Sequence, residues 1–278
     1  MNRLKTFALL MGTMVMVVAT SCGKQDEEPQ GGDAAPGKKI HRVYISYDDS
    51  QKYLSEEWHW SSNKLESIDY FVVEDGEVVP DRKEKFTFDG NHVSRVELES
   101  QNEYYANYSP SIYEYTGDKL TKVSYSTGGA DYNGNPWTKN YEYNFYYQND
   151  TLSRFVIKVN NIVKGWYRLM WTGNNLTSGV EPQRDEVGIY EYDSMKNPFY
   201  GHFGYNPMCS FSNFGDVGDS YLFNFDQEVY VSENNVTALH WISGSNYNFE
   251  YFYDEDCYPI KMIRTKGAHL FYKYYEYE

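Results

Sequence analysis

The sequence predicts an all-β protein, built as a large curled antiparallel meander or barrel-like sheet of roughly eight successive hairpins that is soluble in water. Three observations predict this class. The chain contains 30 tyrosines, whereas leucine and alanine, the best apolar helix formers, are scarce after residue 21. Short segments alternate aromatic and polar residues, which is the period of a strand with one buried face. Turns rich in Gly, Asn and Asp separate these segments.

Segment 113–123, which reads YEYTGDKLTKV, shows the repeated unit. Two aromatic residues flank a charged one, a polar turn follows, and an aliphatic pair resumes the apolar pattern. Similar units begin at Trp58, Phe86, Tyr113, Phe145, Leu169, Tyr190, Val229 and Tyr251. Their irregular spacing argues against a solenoid or propeller of fixed period and favours an up-and-down meander.

The two aliphatic residues of a unit are three positions apart, as are Leu120 and Val123 in the third unit and Ile260 and Ile263 in the last. In a regular strand, residues of opposite parity lie on opposite faces of the sheet. Either a β-bulge follows each turn or the first aliphatic residue folds over the end of the core. The bulge is the expected arrangement, because it adds the twist that a curled sheet requires.

Two aromatic ladders indicate that one face of the sheet is apolar. Tyr141, Tyr143 and Phe145 alternate with Glu142 and Asn144 in the first of them. A second ladder occupies residues 247–253, and the C-terminal segment 271–278 is predicted to be a closing strand. Residues 40–278 are therefore predicted to form a single all-β domain of repeated hairpins.

The N-terminal residues are predicted to be a targeting segment followed by a tether. Residues 1–21 have a basic start, an apolar run and small residues before Cys22, which are the features of a signal peptide. The position of Cys22 resembles the lipobox of bacterial lipoproteins, so Cys22 is the expected lipidation site. Residues 22–39 are predicted to be the lipidated N-terminus and a flexible acidic tether.

The charge of the chain limits its partners. The formal net charge is −15, and cleavage after residue 21 would remove Arg3 and Lys5 and no acidic residue. This balance argues against nucleic acid as a partner and against a basic contact with anionic lipids. Contact with the membrane is therefore expected through the lipid anchor only, on the outer membrane and facing the cell exterior.

The repeated corners resemble the YD-type repeats of secreted shell-forming proteins. Together with the lipobox, the acidic tether and Tyr190-Glu191-Tyr192-Asp193 running into segment 197–199, the chain resembles a Bacteroidetes lipoprotein domain family of unknown function with a porin-like fold. The resemblance covers residues 40–278. It implies a curled antiparallel sheet or barrel and no activity.

No residue pattern identifies catalytic, metal-binding or cofactor-binding residues, so none are predicted. The six histidines are scattered, and none are spaced as paired ligands on one strand. Trp137 and Trp166 lie outside the repeat ladders and are the candidate ligand-binding residues, because exposed indoles stack on sugars or anchor protein partners. The alternative is that both indoles are buried. Cys209 and Cys257 form a possible disulfide.

The predicted function is that of a lipid-anchored binding or interaction protein whose ligand is an unknown glycan or protein. One alternative is a hydrolase that acts on glycans or other substrates, since 40 acidic residues could supply a carboxylate pair. Another is a porin-like barrel that spans the membrane. The prevalence of tyrosine and ladders of about seven residues argue against it, because a tilted spanning strand needs about 9–11 residues.

Overall fold

The computed structural model describes residues 38–100, 107–130, 134–181, 186–200, 232–242, 244 and 246–278. The predicted signal peptide, Cys22 and the tether up to residue 37 lie outside these ranges and stay predictions. Across the described ranges, no helix is long and apolar enough to cross a membrane.

The described residues form sixteen strands: β1 (Ile40–Ser46), β2 (Tyr53–Ser61), β3 (Lys64–Glu74), β4 (Glu77–Asp89), β5 (His92–Ser100), β6 (Ser111–Thr116), β7 (Lys119–Ala130), β8 (Pro136–Gln148), β9 (Thr151–Val159), β10 (Ile162–Thr172), β11 (Asn175–Glu181), β12 (Glu186–Lys196), β13 (Asn234–Trp241), β14 (Asn246–Tyr253), β15 (Pro259–Lys266) and β16 (His269–Tyr277). Each strand pairs with its neighbours in the chain, and β16 pairs with β1. The sheet is therefore a closed antiparallel barrel. This confirms the predicted all-β class and the closing strand at the C-terminus.

The number of hairpins differs from the predicted eight, because consecutive described strands pair with each other around the whole barrel. Six of the predicted units are the turns that follow β2, β4, β6, β8, β10 and β14. We call the end of the barrel that carries them the corner rim, and the opposite end the loop rim. The unit at Tyr190 opens in β12, and the residues between it and β13 are only partly described. Val229 itself lies outside the described residues.

A β-bulge follows the turn at each of these six corners, as predicted. At the third corner Tyr115 pairs with Leu120 and Glu114 pairs with Lys122, which leaves Thr121 without an opposite residue. The extra residue restores the parity, so Leu120 and Val123 both point inward and are 2% and 0% exposed.

At four corners the extra residue is Ser or Thr, and its hydroxyl donates to the backbone carbonyl seven positions earlier. These bonds join Ser94 to Thr87 (3.1 Å), Thr121 to Glu114 (3.0 Å), Ser153 to Tyr146 (3.1 Å) and Thr177 to Met170 (3.1 Å). The bulge is thus accompanied by a side-chain donor that bonds a carbonyl on the facing strand.

The last corner corrects one detail of the predicted repeat. Ile260 and Ile263 were expected to be the inward aliphatic pair, but Pro259 and Met262 are the buried residues. Tyr253 pairs with Pro259, so Ile260 becomes the extra residue of the bulge and is 43% exposed. The turn is one residue shorter than the sequence pattern indicated.

The hydrophobic core lies inside the barrel and receives buried side chains from all sixteen strands. Trp58 is 2% exposed and Trp60 packs against the same cluster, as predicted. Phe199, which follows β12, contacts the rings of Trp58 on β2 and Tyr275 on β16, with centroid distances of 5.7 and 6.1 Å. Residues 197–199 therefore reach into the interior, where all three are buried.

Hydrogen bonds from aromatic side chains join consecutive corners along the corner rim. In each, an aromatic residue near the corner-rim end of a strand donates to a backbone carbonyl of the preceding unit or strand. They join Trp60 to Ile40 (2.7 Å), Tyr147 to Leu120 (3.0 Å), Trp171 to Leu152 (2.6 Å), Tyr192 to Leu176 (2.5 Å) and Tyr277 to Pro259 (2.6 Å). The rim is held by side chains as well as by the strand ladder.

The outer wall of the barrel carries charged side chains that pair across neighbouring strands. His59 and Lys83 both contact Asp69, at 2.7 and 3.0 Å. Further outward pairs are Arg42–Glu57, Lys85–Glu99, Lys122–Glu114, Lys158–Glu142 and His240–Glu191. The apolar face of the sheet therefore lines the interior, and much of the opposite face is ionic.

Candidate functional site

Trp137 lies in β8 on the inner wall near the loop rim, although the sequence pattern had placed it in a loop. It shares the inward parity of Tyr141 and Tyr143 and is half-buried. Its indole covers Gly129 on β7, where a Cβ would lie 2.8 Å from the ring atom Cζ2. Lys139 Nζ lies 5.2 Å from the ring centroid. Because Gly129 has no side chain, the indole of Trp137 can lie directly against the backbone at this position.

Trp166 lies in β10 and points to the outside of the barrel. Its neighbour Tyr167 points inward and packs in the core beside its strand partner Phe155. Trp166 and its strand partner Val156 have the opposite parity and therefore lie on the outer face. Trp166 is also half-buried. The two candidate tryptophans therefore lie on opposite faces of the wall and do not form one site, and the binding role of each stays a prediction.

Of the two cysteines in the predicted disulfide, only Cys257 lies within the described residues. Cys257, in the turn between β14 and β15, is disulfide-bonded. Cys209 lies outside the described residues, so the predicted pair of Cys209 with Cys257 stays a prediction.

A cluster of cationic side chains lies on the inner wall of β15 and β16 at the loop rim. Arg264 pairs with Phe249 of the core on one side and with Phe271 on the other, so it points inward. The same parity places Lys266 and Lys273 inward. Arg264 and Lys273 are half-buried, and Lys266 is exposed at the mouth.

Aromatic rings hold two of these cations. The guanidinium carbon of Arg264 lies 4.6 Å from the centroid of Phe271 and 5.9 Å from that of Tyr247. Lys266 Nζ lies 4.6 Å from the same Tyr247 ring and donates to its hydroxyl. We call Arg264, Lys266, Lys273, Tyr247 and Phe271 the cationic mouth.

The inward positions next to the cationic mouth can be compared for the described residues. Among the described residues of β13 to β16 and β1, the inward positions carry apolar, aromatic, Lys, Arg or His side chains and no Asp or Glu. Three permanent cations on one concave surface create a positive potential in a chain whose net charge is −15.

Sequence reasoning missed this cluster because it took the wrong parity for β15. The pair Ile260 and Ile263 would have put Arg264 on the outside. The signal that could have found it is the alternation of Met262, Arg264 and Lys266 when it is aligned with the buried Met262.

Glu57, His59 and Asp69 form a second cluster on the outer wall, with one ligand atom from each within 4.8 Å of the others. Arg42 Nη2 contacts Glu57 at 2.6 Å and Lys83 contacts Asp69 at 3.0 Å. These cations already satisfy the carboxylates, so the cluster is explained as part of the ion-pair network of the outer wall.

Two inward carboxylates occupy the wall of β2 to β4. Glu84 is fully buried and accepts a hydrogen bond from the Tyr70 hydroxyl at 3.3 Å. Glu56 accepts one from Trp58 Nε1 at 2.9 Å. Both carboxylates bond to core side chains, and full burial of Glu84 removes it from contact with a substrate. The buried Glu84 therefore cannot serve in the carboxylate pair that a glycosidase needs.

A carboxyl group with a raised pKa lies at the corner rim, away from the cationic mouth. Burial raises the pKa of the Asp193 carboxyl, although Tyr253 and the backbone nitrogens of Met195 and Asn235 all donate to it. The same burial and the carboxylate raise the pKa of the Tyr253 hydroxyl. These bonds tie β12, β13 and β14 together, which is a structural role.

The comparisons identify the fold. A porin-like protein from Bacteroides uniformis is 10% identical, and the match covers 86% of this chain and 98% of that chain with a TM-score of 0.52. A porin-like protein from Bacteroides vulgatus is 11% identical over 87% of this chain and 99% of that chain, with a TM-score of 0.39. This chain has a porin-like barrel fold.

No protein-family model and no curated protein matches the sequence. Membership of the lipoprotein domain family that the sequence resembles therefore stays a prediction.

Proposed function

We propose that this protein is a lipid-anchored binding protein of the outer membrane that faces the cell exterior and holds a glycan or protein ligand at the loop rim. The observation that carries the proposal is the distribution of charge over the barrel wall. Apolar side chains of all sixteen strands line the interior, whereas the outer wall carries paired ions. A barrel that faces lipid has the opposite pattern, with an apolar outer band.

The position of the first described residues supports an orientation for the anchored barrel. Lys38 Nζ contacts Asp254 at 2.7 Å and Asp256 at 2.6 Å at the corner rim. The tether therefore leaves the barrel at this rim. A lipid on Cys22 would hold the corner rim near the membrane and leave the loop rim, with the cationic mouth, facing away from it.

Solubility without the lipid tests the proposal. The chain from residue 22 with Cys22→Ser is expected to purify as a folded monomer without detergent, because its outer wall is ionic. Labelling of intact cells that express the wild-type chain should detect it on the exterior. A requirement for detergent, or protection of the wild-type chain from external label, would contradict the proposal.

A membrane-spanning porin-like barrel is the second candidate, and the fold of the porin-like protein from Bacteroides uniformis favours it. Strand length does not exclude it. The expectation that the strands are too short is wrong, since β4 and β8 have 13 residues each and β10 has 11. The charged outer wall argues against it, and conductance across a planar bilayer would support it.

A hydrolase is the weaker alternative, because the inward carboxylate of Glu84 is fully buried and hydrogen-bonded to Tyr70. Turnover of a glycan by the purified chain, lost on substitution of a carboxylate, would favour it over a binding protein.

A further inference from the structure

We infer that the outer wall of β8 to β12 pairs with the same surface of a second copy of this chain. The inference concerns a surface away from the loop rim and goes beyond the proposed function. This surface, which we call the outer patch, is centred on Met170 and Ile189, each 46% exposed. The other outward side chains that define it are Tyr146, Trp166, Arg168 and Glu191.

The outer patch has the composition of a contact between proteins. Tyr146 is 42% exposed and Trp166 is half-buried. Trp, Tyr, Met and Arg are the side chains that are enriched where proteins bind each other. Arg154 and Arg168 lie side by side within the same surface. These charges argue against lipid as the occupant, because a wall that faces lipid has an apolar outer band.

The two arginines favour an acidic partner. Arg154 and Arg168 are both exposed and are opposite each other in the strand register, where like charges destabilise a sheet. Glu191 lies on the other side of the patch, and its side chain is 65% exposed. The sheet spacings place Arg168 and Glu191 about 17 Å apart, which is too far for an ion pair within one chain. A second copy can supply the carboxylate instead.

The register makes the outer patch self-complementary. Ser178 on β11 pairs with Met170 on one side and with Ile189 on the other. Arg168 precedes Met170 by two residues and Glu191 follows Ile189 by two, so the two charges lie diagonally about Ser178. A twofold axis in the contact plane over Ser178 brings Arg168 of each copy to Glu191 of the other. The apolar centre of the patch then lies between two ion pairs.

The size of the outer patch makes this pairing weak in dilute solution. Five strands at a spacing of about 4.8 Å span about 19 Å, and three rows of side chains cover about 14 Å along the strands. Stable interfaces bury about 800 Å² on each partner, so a convex patch of this size associates only at high concentration. The chain is therefore expected to purify as a monomer and to pair when a lipid anchor concentrates it on one membrane.

Sedimentation equilibrium of the Cys22→Ser chain, from about 10 µM to about 1 mM, tests the inference. We expect the average mass to rise from that of a monomer toward that of a dimer over this range. Arg168→Glu or Glu191→Arg alone should weaken the association about tenfold, because each substitution puts like charges at both ionic contacts. An equal mixture of the two variants should restore the association, since opposite charges meet at both contacts of the mixed dimer.

The apolar centre has its own variant and control. Met170→Gln/Ile189→Gln should also weaken the association, because it removes the apolar area between the ion pairs. Ile162→Gln/Val163→Gln changes two exposed apolar residues outside the patch, and Lys85→Glu reverses an exposed charge on β4. Both controls should retain the association within about twofold.

A Cys22→Ser chain that stays monomeric over the whole concentration range would overturn the inference. The same conclusion would follow if the mixture of Arg168→Glu and Glu191→Arg chains failed to pair although each is folded by circular dichroism, or if the controls lost as much association as the patch variants. Binding to phosphatidylcholine vesicles that Met170→Gln/Ile189→Gln abolishes would assign the patch to lipid instead. Failure of the pairing leaves the proposed function standing, whereas a requirement for detergent overturns that function.

Discussion

Thr121 shows how a single side chain completes a corner of the barrel. It is the extra residue of the third bulge, and its hydroxyl donates to the carbonyl of Glu114 at 3.0 Å. Serine or threonine has the same role at three other corners, whereas Glu66 and Ile260 occupy the equivalent bulge positions without a hydroxyl. The hydroxyl therefore stabilises the bulge but is not required to form it.

Thr121→Val should lower the free energy of unfolding by about 1 kcal/mol, because it removes one hydrogen bond and keeps the β-branched shape. Urea denaturation measures the change. Thr265→Val, on the outward face of β15, is the control and should change the stability by less than about 0.5 kcal/mol. Equal effects of both substitutions would show that the bond to Glu114 contributes nothing.

Gly129→Ala should be destabilising by about 1–3 kcal/mol, because a Cβ at this position overlaps the indole of Trp137. The added Trp137→Ala substitution should relieve most of this loss, so a double-mutant cycle between the two positions should show strong coupling. Thermal unfolding of the four chains measures it. Additive effects would mean that the indole moves aside without cost.

The loop between β1 and β2 is an element that folds back onto the outer wall. Lys261 Nζ contacts Asp49 at 2.8 Å, and the Tyr274 hydroxyl donates to the same carboxylate. Lys52 Nζ lies 3.8 Å from the centroid of the Tyr274 ring. The loop thereby covers Tyr274, which is only 8% exposed although it points outward.

Acid should release this loop. The hydrogen bond from Lys261, and then that from Tyr274, holds the pKa of the Asp49 carboxyl below its ordinary value. The stabilisation is therefore present above the unfolded pKa, about 3.9, and is lost as the pH falls through the folded pKa. Asp49→Asn should destabilise the protein at pH 7 and have a diminishing effect as the pH falls below 4.

Chemical denaturation at several pH values checks this prediction. The control is Asp118→Asn, since the Asp118 side chain is 99% exposed. A loss of stability in Asp49→Asn that is the same at pH 7 and pH 3 would contradict the role given to the Asp49 carboxylate.

The sequence predicts the elements well where the aromatic and aliphatic pattern is complete. The parity of Leu120 and Val123 was sufficient to predict the bulge, because only an extra residue brings both inward. The pattern failed at the last corner, where a proline takes the place of the first aliphatic residue. Trp137 was placed in a loop of residues 133–137, which read Asn-Gly-Asn-Pro-Trp. The strand nevertheless begins at Pro136, and a proline is tolerated as the first residue of a strand.

The candidate site is less predictable than the elements. Arg264, Lys266 and Lys273 are not a sequence motif, and they come together only because β15 and β16 are paired in one register. A shift of one residue in β15 would move its two cations to the outer wall. The long connection after β12, which separates the units at Tyr190 and Val229, also has no pattern from which its path could be derived.

At the scale of the whole molecule, closure depends on the pairing of the first and last strands. β16 pairs with β1 from Ile40–Tyr277 to Ser46–Tyr272. Tyr275 also belongs to the core, and Tyr277 donates to the carbonyl of Pro259. The C-terminal strand therefore closes the barrel wall through its backbone and contributes a side chain to the core.

Removal of residues 272–278 should abolish folding, because it leaves β1 and β15 as unpaired edges and opens the core to water. Circular dichroism and gel filtration are expected to show loss of the cooperative transition and aggregation. The chain from residue 38 to 278 is the control and should unfold like the chain from residue 22. A truncated chain that stays monomeric and unfolds cooperatively would show that closure is dispensable.

The aromatic hydrogen bonds along the corner rim have a consequence for how such a barrel changes in size. Each bond reaches only the adjacent unit, as Trp171 reaches Leu152, and none depends on the total number of strands. Duplication or deletion of one complete hairpin would therefore preserve every local bond while it widens or narrows the ring. Descendants of one ancestral chain could in this way acquire barrels of different diameter while they keep the same contacts between neighbouring hairpins.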